Sequence, residues 1–78
     1  MKKTRYSRKY SALLRVLKNA RKDAGLTQKE VGRKFGAHAS FVSKCESGER
    51  RIDVIEFAAF CRIYGVTVAD LLDQVGLE

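Results

Sequence analysis

The side chains that carry reactive or ligating chemistry are few and scattered. Cys45 and Cys61 stand without a CxxC pairing, and the single histidine, His38, cannot complete a zinc set with them. No Ser, His and Asp fall into a nucleophile pattern, and the glycines sit at helix ends rather than in a phosphate-cradling loop. The chain is therefore not expected to be an enzyme or to hold a metal or cofactor. In a reducing compartment both thiols read as small buried hydrophobes, with a redox switch as the other reading. What remains is the chain's supply of hydrogen-bond donors, its basic, hydroxyl and amide side chains. Their chemistry is recognition rather than reaction.

The charge pattern says what such donors would meet. The 78 residues hold 16 Lys+Arg against 9 Asp+Glu, a net charge of +7. Residues 1–22 carry nine basic residues and no acid, whereas residues 52–78 carry one basic residue and five acids. A front of +11 over residues 1–51 and a back of −4 suggest a polyanion at one end only, nucleic acid ahead of an anionic membrane. A solvated basic tail is the alternative. With 45% hydrophobic residues and no proline the chain reads as globular, and its length allows one small core. No apolar run approaches the roughly 18 residues of a membrane span, and no secretory signal is present, so a cytoplasmic location is expected.

Residues 1–7 read as a basic, mobile arm and residues 8–78 as the domain. Leu13, Val16, Leu17, Ala20 and Ala24 recur at helical spacing, and Gly25 stops that helix. Thr27-Gln-Lys-Glu30 is a capping box that opens a second helix with Val31 and Phe35 on one face, ended by Gly36. A third helix is expected from about His38 to Ser47, closed by Gly48. Asp53-Val-Ile-Glu56 and Thr67-Val-Ala-Asp70 cap a fourth and a fifth. No useful β-alternation occurs, so the fold class is all-α, a compact five-helix bundle.

Helices two and three satisfy the needs of a helix-turn-helix. Val31, Phe35, Val42 and Cys45 supply the apolar contacts, Gly32 a close crossing, and Gly36 a turn with positive φ. From about Leu13 to Leu72 the sequence resembles the Cro/phage-repressor type of helix-turn-helix proteins, the XRE family. The likeness is carried by Gly25-Leu-Thr-Gln-Lys-Glu-Val, Phe41-Val-Ser-Lys-Cys-Glu-Ser-Gly-Glu-Arg and Gly65-Val-Thr-Val-Ala-Asp-Leu-Leu.

The resemblance implies a role for each matching position. Thr27 and Gln28 would hold a DNA phosphate at the start of the second helix. His38, Ala39, Ser40, Ser43 and Lys44 match the exposed face of a recognition helix in the major groove, with Lys44 the foremost base reader. Phe41 is counted with this DNA-contact set, while its apolar ring also suits the packed face. Many members carry glutamine where Ala39 stands, so one readout is reduced to an apolar contact, such as with a thymine methyl. His38 occupies a site often held by Ser, Thr or Pro, and either a phosphate contact or a solvent-exposed cap neighbour fits it. Arg50 is the first choice for a backbone phosphate and Arg51 the second. Lys29 and Arg33 add electrostatics or simply form a solvated face, and the arm from Lys2 to Lys9 tracks phosphates, enters a minor groove or stays a disordered tail. Arg21 and Glu46 match a buried ion pair of the family, with a surface salt bridge as the alternative.

The acidic back should face away from DNA. Ile55, Ala59 and Ile63 form a second apolar stripe at i, i+4, i+8, and Leu72, Val75 and Leu77 extend beyond what one small core absorbs, so a homodimer interface is expected there unless these residues complete the monomer core. The expected function is a sequence-specific regulator of transcription that binds double-stranded DNA, a repressor on a near-palindromic operator. The alternative is an antitoxin or co-regulator that binds a protein partner as well as DNA. An RNA-binding reading lacks the exposed aromatic pair or GXXG loop of common RNA modules.

Overall fold

The computed structural model describes residues 8–76, so the basic arm expected at residues 1–7, and Leu77, lie outside the described residues. Five helices follow one another: α1 (Arg8–Asp23), α2 (Gln28–Phe35), α3 (Ala39–Ser47), α4 (Val54–Tyr64) and α5 (Val68–Gln74), with no strand among the described residues.

Each boundary has a local cause. Thr27 accepts a hydrogen bond from the Glu30 N–H while the Glu30 carboxylate accepts from the Thr27 N–H, and Asp53 and Glu56 repeat the arrangement at α4. Thr67 caps α5 through the Asp70 N–H. At α3 the cap is His38, whose Nδ1 accepts from the Ser40 N–H. α2 ends because Gly36 takes φ = 77°, a left-handed conformation that turns the chain back so that the Ala37 N–H donates to the Gly32 carbonyl at 2.7 Å.

Burial follows the helical period. Leu14, Leu17 and Ala20 of α1, Val31 of α2, Val42 and Cys45 of α3, Phe57, Phe60, Cys61 and Tyr64 of α4 and Leu71 of α5 form one core. Each fully buried large side chain contributes about 1.5–3 kcal/mol. Phe60 anchors an aromatic cluster, with Phe35 at 4.6 Å and Phe41 at 6.1 Å between ring centres, which draws α2, α3 and α4 together. Both thiols are buried, and burial pushes Cys45, Cys61 and the Tyr64 phenol upward in pKa, so all three stay protonated near neutrality.

α2 and α3 meet at Gly32 without an intervening side chain. A Cβ placed there would lie 3.0 Å from the Ala37 carbonyl oxygen and 3.1 Å from both the Ala39 nitrogen and the His38 carbonyl carbon, all main-chain atoms. None of these can move aside as a flexible side chain would. Gly32→Ala is expected to destabilise the fold by about 1–3 kcal/mol in denaturant titration, despite the better helix propensity of alanine. A neutral or stabilising result would show that the helix pair relaxes freely.

Candidate nucleic-acid interface

α3 presents two faces that do different work. Val42 and Cys45 are wholly buried, and one face away Ser40, Ser43, Lys44 and Ser47 are exposed, spaced three and four residues apart along a single outward stripe. Ser47 was not singled out from sequence; its hydroxyl donates to the Lys44 carbonyl and accepts from the Glu49 N–H, so it trims the helix end. Ala39 is half-buried at the stripe's edge. His38 stands at the head of α3, exposed, with Nδ1 committed to the Ser40 N–H at 3.2 Å. Nδ1 is thereby an acceptor, which leaves Nε2 as the protonated ring nitrogen.

Phe41 belongs to the packed side. Its ring is half-buried against Phe35, 5.1 Å between centres, and against Phe60. The ring lies off the outward stripe because position 41 falls one residue before the buried Val42, not among positions 40, 43 and 44.

The N-terminus of α2 lies beside the end of α3. Thr27 is exposed, and its two hydrogen bonds hold the Glu30 carboxyl below the usual carboxylate range. Gln28 is half-buried, its Nε2 donating to Glu46 Oε1 at 3.0 Å. Glu46 also accepts from Arg21 Nε at 2.6 Å and Nη2 at 3.2 Å, and Arg21 Nη1 donates to the Leu26 carbonyl at 2.8 Å. The two charged side chains are only 9% and 5% exposed. One guanidinium and one carboxylate thus join the end of α1, the turn before α2, the first residue of α2 and the last turn of α3.

The loop after α3 holds the two arginines differently. Arg50 folds toward α4, donating from Nη1 and Nη2 to the two carboxylate oxygens of Glu56 at 2.9 Å each, with its guanidinium 4.9 Å above the Phe41 ring. That pairing holds the Glu56 carboxyl low and raises the Arg50 guanidinium. Arg51 lies over the Tyr10 ring at 4.3 Å and pairs with no carboxylate among the described residues. The Tyr10 hydroxyl in turn accepts from the Ile52 N–H at 3.1 Å. Glu56 and Tyr10 are site residues that sequence reasoning missed. Glu56 was legible as a capping residue, but its second partner depends on the course of the loop, and Tyr10 reaches Arg51 only through the packing of α1. Lys29 and Arg33 are exposed on α2 and border a shallow groove with Ala37, His38 and Ala39.

The residues expected to form one apolar interface are divided between two surfaces. Ile55, 75% exposed, lines a groove of about 540 Å³ with Ala59, Ile63 and Phe35, rimmed by Lys34 and Arg62. Leu72 instead lines a groove of about 300 Å³ with Tyr10, Leu13 and Val54. Val75 is half-buried at the end of α5, its carbonyl accepting from Lys9 Nζ at 3.2 Å. The cause is the path of α5, which packs on α1 as well as α4 and so carries Leu72 away from the α4 stripe. Ile63 and Leu72 also pack on the core.

A protein-family model described as a helix-turn-helix domain matches residues 12–74. A solved structure, an XRE-family like protein from Pseudomonas syringae pv. tomato str. DC3000, is 50% identical, covering 87% of this chain and 83% of its own, with a TM-score of 0.82. The chain belongs to the XRE family of helix-turn-helix proteins. No curated protein matches it. In this XRE protein, a DNA-binding regulator by its family and fold, α2 and α3 are the helix-turn-helix. No helix among the described residues is long and apolar enough to cross a membrane, and no three His, Cys, Asp or Glu side chains among them are grouped to hold a metal ion.

Glu46→Ala would leave Arg21 buried and unpaired, and is expected to cost about 3–5 kcal/mol in thermal or denaturant unfolding. Arg21→Met combined with Glu46→Leu should recover most of that loss, because no buried charge remains. A loss below about 1 kcal/mol for the single variant would place the pair among solvated surface bridges.

Proposed function

We propose that this protein regulates transcription by binding a specific operator in duplex DNA, with α3 in the major groove and Lys44 reading a base. The outward stripe of α3 carries this reading: Ser40, Ser43 and Lys44 are exposed together on a helix whose opposite face is wholly buried. Lys44 donates to guanine O6 or N7, the serines to either base pair, and Ala39 offers only an apolar contact. Thr27 and Gln28 take a phosphate at the head of α2, His38 offers its Nε2–H at the head of α3, and the loop with Arg50 and Arg51 meets the sugar-phosphate backbone. Occupying the operator would repress a promoter that overlaps it.

A homodimer would bind two half-sites about one helical turn apart, roughly 34 Å, in a near-palindrome. Ile55 and its groove support self-association, since an aliphatic side chain three-quarters exposed on α4 costs hydration that a partner removes. The rim of the same groove supports the second reading, an antitoxin or co-regulator bound to a different protein. Lys34 and Arg62 are both cationic and would face like charges across a two-fold contact centred on the groove.

Two measurements test these readings. Duplexes selected from a random pool by the wild-type chain give its preference. Lys44→Ala should relax that preference at one position per half-site by about 1–3 kcal/mol, whereas Arg51→Ala should weaken all duplexes alike. Equal, uniform losses for both variants would refute base reading by Lys44. Sedimentation of the purified chain should show a dimer that Ile55→Glu converts to a folded monomer. A wild-type monomer at high concentration favours the hetero-partner reading instead.

A further inference from the structure

The two loop arginines are adjacent in sequence but engaged in opposite ways. Arg50, though its side chain is 44% exposed, is tied down by several contacts: both terminal nitrogens on Glu56, Nη1 also on the Arg51 carbonyl at 3.3 Å, the guanidinium over Phe41, and its own N–H on the Lys44 carbonyl at 3.1 Å. Its partners belong to the first turn of α3, the last turn of α3, the loop and the first turn of α4. Arg51 has a ring beneath it and no carboxylate partner among the described residues, which leaves its donors available to an incoming anion.

We propose that Arg50 is a positioning residue for DNA recognition, clamped by Glu56 so that it fixes α3 and the Arg51 main chain, and that Arg51 makes the phosphate contact of this loop. The assignment rests on the DNA-binding reading above. A phosphate that took the paired edge of Arg50 would have to displace a bidentate carboxylate that also completes the α4 capping box, because Glu56 Oε1 accepts from the Asp53 N–H as well, and the donors left over on Nε and Nη2 are held in the orientation that Glu56 sets. Arg51 needs no such exchange. Phe41 then acts from the inside of α3: it is the floor on which Arg50 rests and makes no DNA contact itself. Tyr10 plays the matching part for Arg51, whose guanidinium lies over the ring while the residue stays exposed.

The counterion dependence of binding separates the two roles, because a lost phosphate contact removes about 0.9 from the log–log slope of affinity against salt, and a lost positioning contact removes none. The experiment measures the full chain on its selected duplex and on an unrelated duplex over a salt series. A wild-type chain that binds neither duplex refutes the DNA-binding reading itself, before any variant is compared. Arg50→Lys keeps the charge but not the fork, and Glu56→Gln keeps an oxygen for the Asp53 N–H but not the ion pair. Each should weaken the selected duplex roughly threefold to tenfold, with the wild-type slope retained and the double variant no worse than either single. Arg51→Ala should lower the slope by about 0.9 on both duplexes. The proposal is overturned if Arg50→Lys binds as wild type while Arg50→Ala loses about 0.9 of slope, or if Glu56→Gln tightens both duplexes by releasing Arg50 to phosphate. It is equally overturned if Glu56→Gln lowers the melting temperature without weakening the selected duplex.

Discussion

The Arg21–Glu46 pair is the constraint on which the geometry of the interface depends. Removing two charges from water costs several kcal/mol per ion, and that cost is offset only where the remaining donors and acceptors are filled. Here Glu46 takes three donors and Arg21 spends its third nitrogen on the Leu26 carbonyl. A hydrophobic pair would hold α1 against α3 as tightly, but it would not specify where along the helices they meet. The fork of a guanidinium on a carboxylate does, because both oxygens are engaged only in one register. The start of α2 shares this junction through Gln28, so both helices of the helix-turn-helix are indexed to the same two charges.

Much of the fold was legible in the sequence because its signals are local. Capping boxes at Thr27 and Asp53, glycines after each of the first four helices, and apolar residues at helical spacing each act within one or two turns, so a chain read in order reveals them. Gly32 was also legible, since a glycine inside a helix between Val31 and Phe35 has no local purpose. The exposed face of α3 came from the resemblance to the family rather than from the period. What was not legible is tertiary. Which arginine of the Arg50-Arg51 pair turns inward depends on where Glu56 and Tyr10 arrive after α4 and α1 have packed, and nothing in the spacing encodes that choice. Phe41 is a related case: its position in the motif associates it with the reading helix, but the ring's aromatic neighbours come from α2 and α4. The apolar residues of the acidic half were visible as a surplus, yet their division between two grooves reflects the turn of α5 onto α1.

The charge asymmetry of the chain acquires a structural counterpart. Its acidic half is not simply a region that avoids DNA, because Glu56 reaches across to restrain a basic residue of the other half. Nor is it uniformly acidic at the surface: Arg62, the one basic residue in residues 52–78, lies on the rim of the groove that exposes Ile55. The molecule is thus polar in sequence but stitched across the boundary by the Arg50–Glu56 ion pair and by the Ile52 N–H donating to the Tyr10 hydroxyl.

The seat of α3 on Gly32 has a consequence for what this scaffold can tolerate. The three atoms nearest to a Cβ at that glycine are main-chain atoms of residues 37–39, so the approach of the two helices is set by backbone meeting backbone. Side chains at 40, 43 and 44 take no part in it. On the proposed reading, exchanging them would alter which base edges are addressed while the helix keeps its seat on α2, much as a key can be recut without changing how its shank enters the lock. A chain built this way can change its outward side chains by single substitutions while the packing that fixes the two helices stays intact.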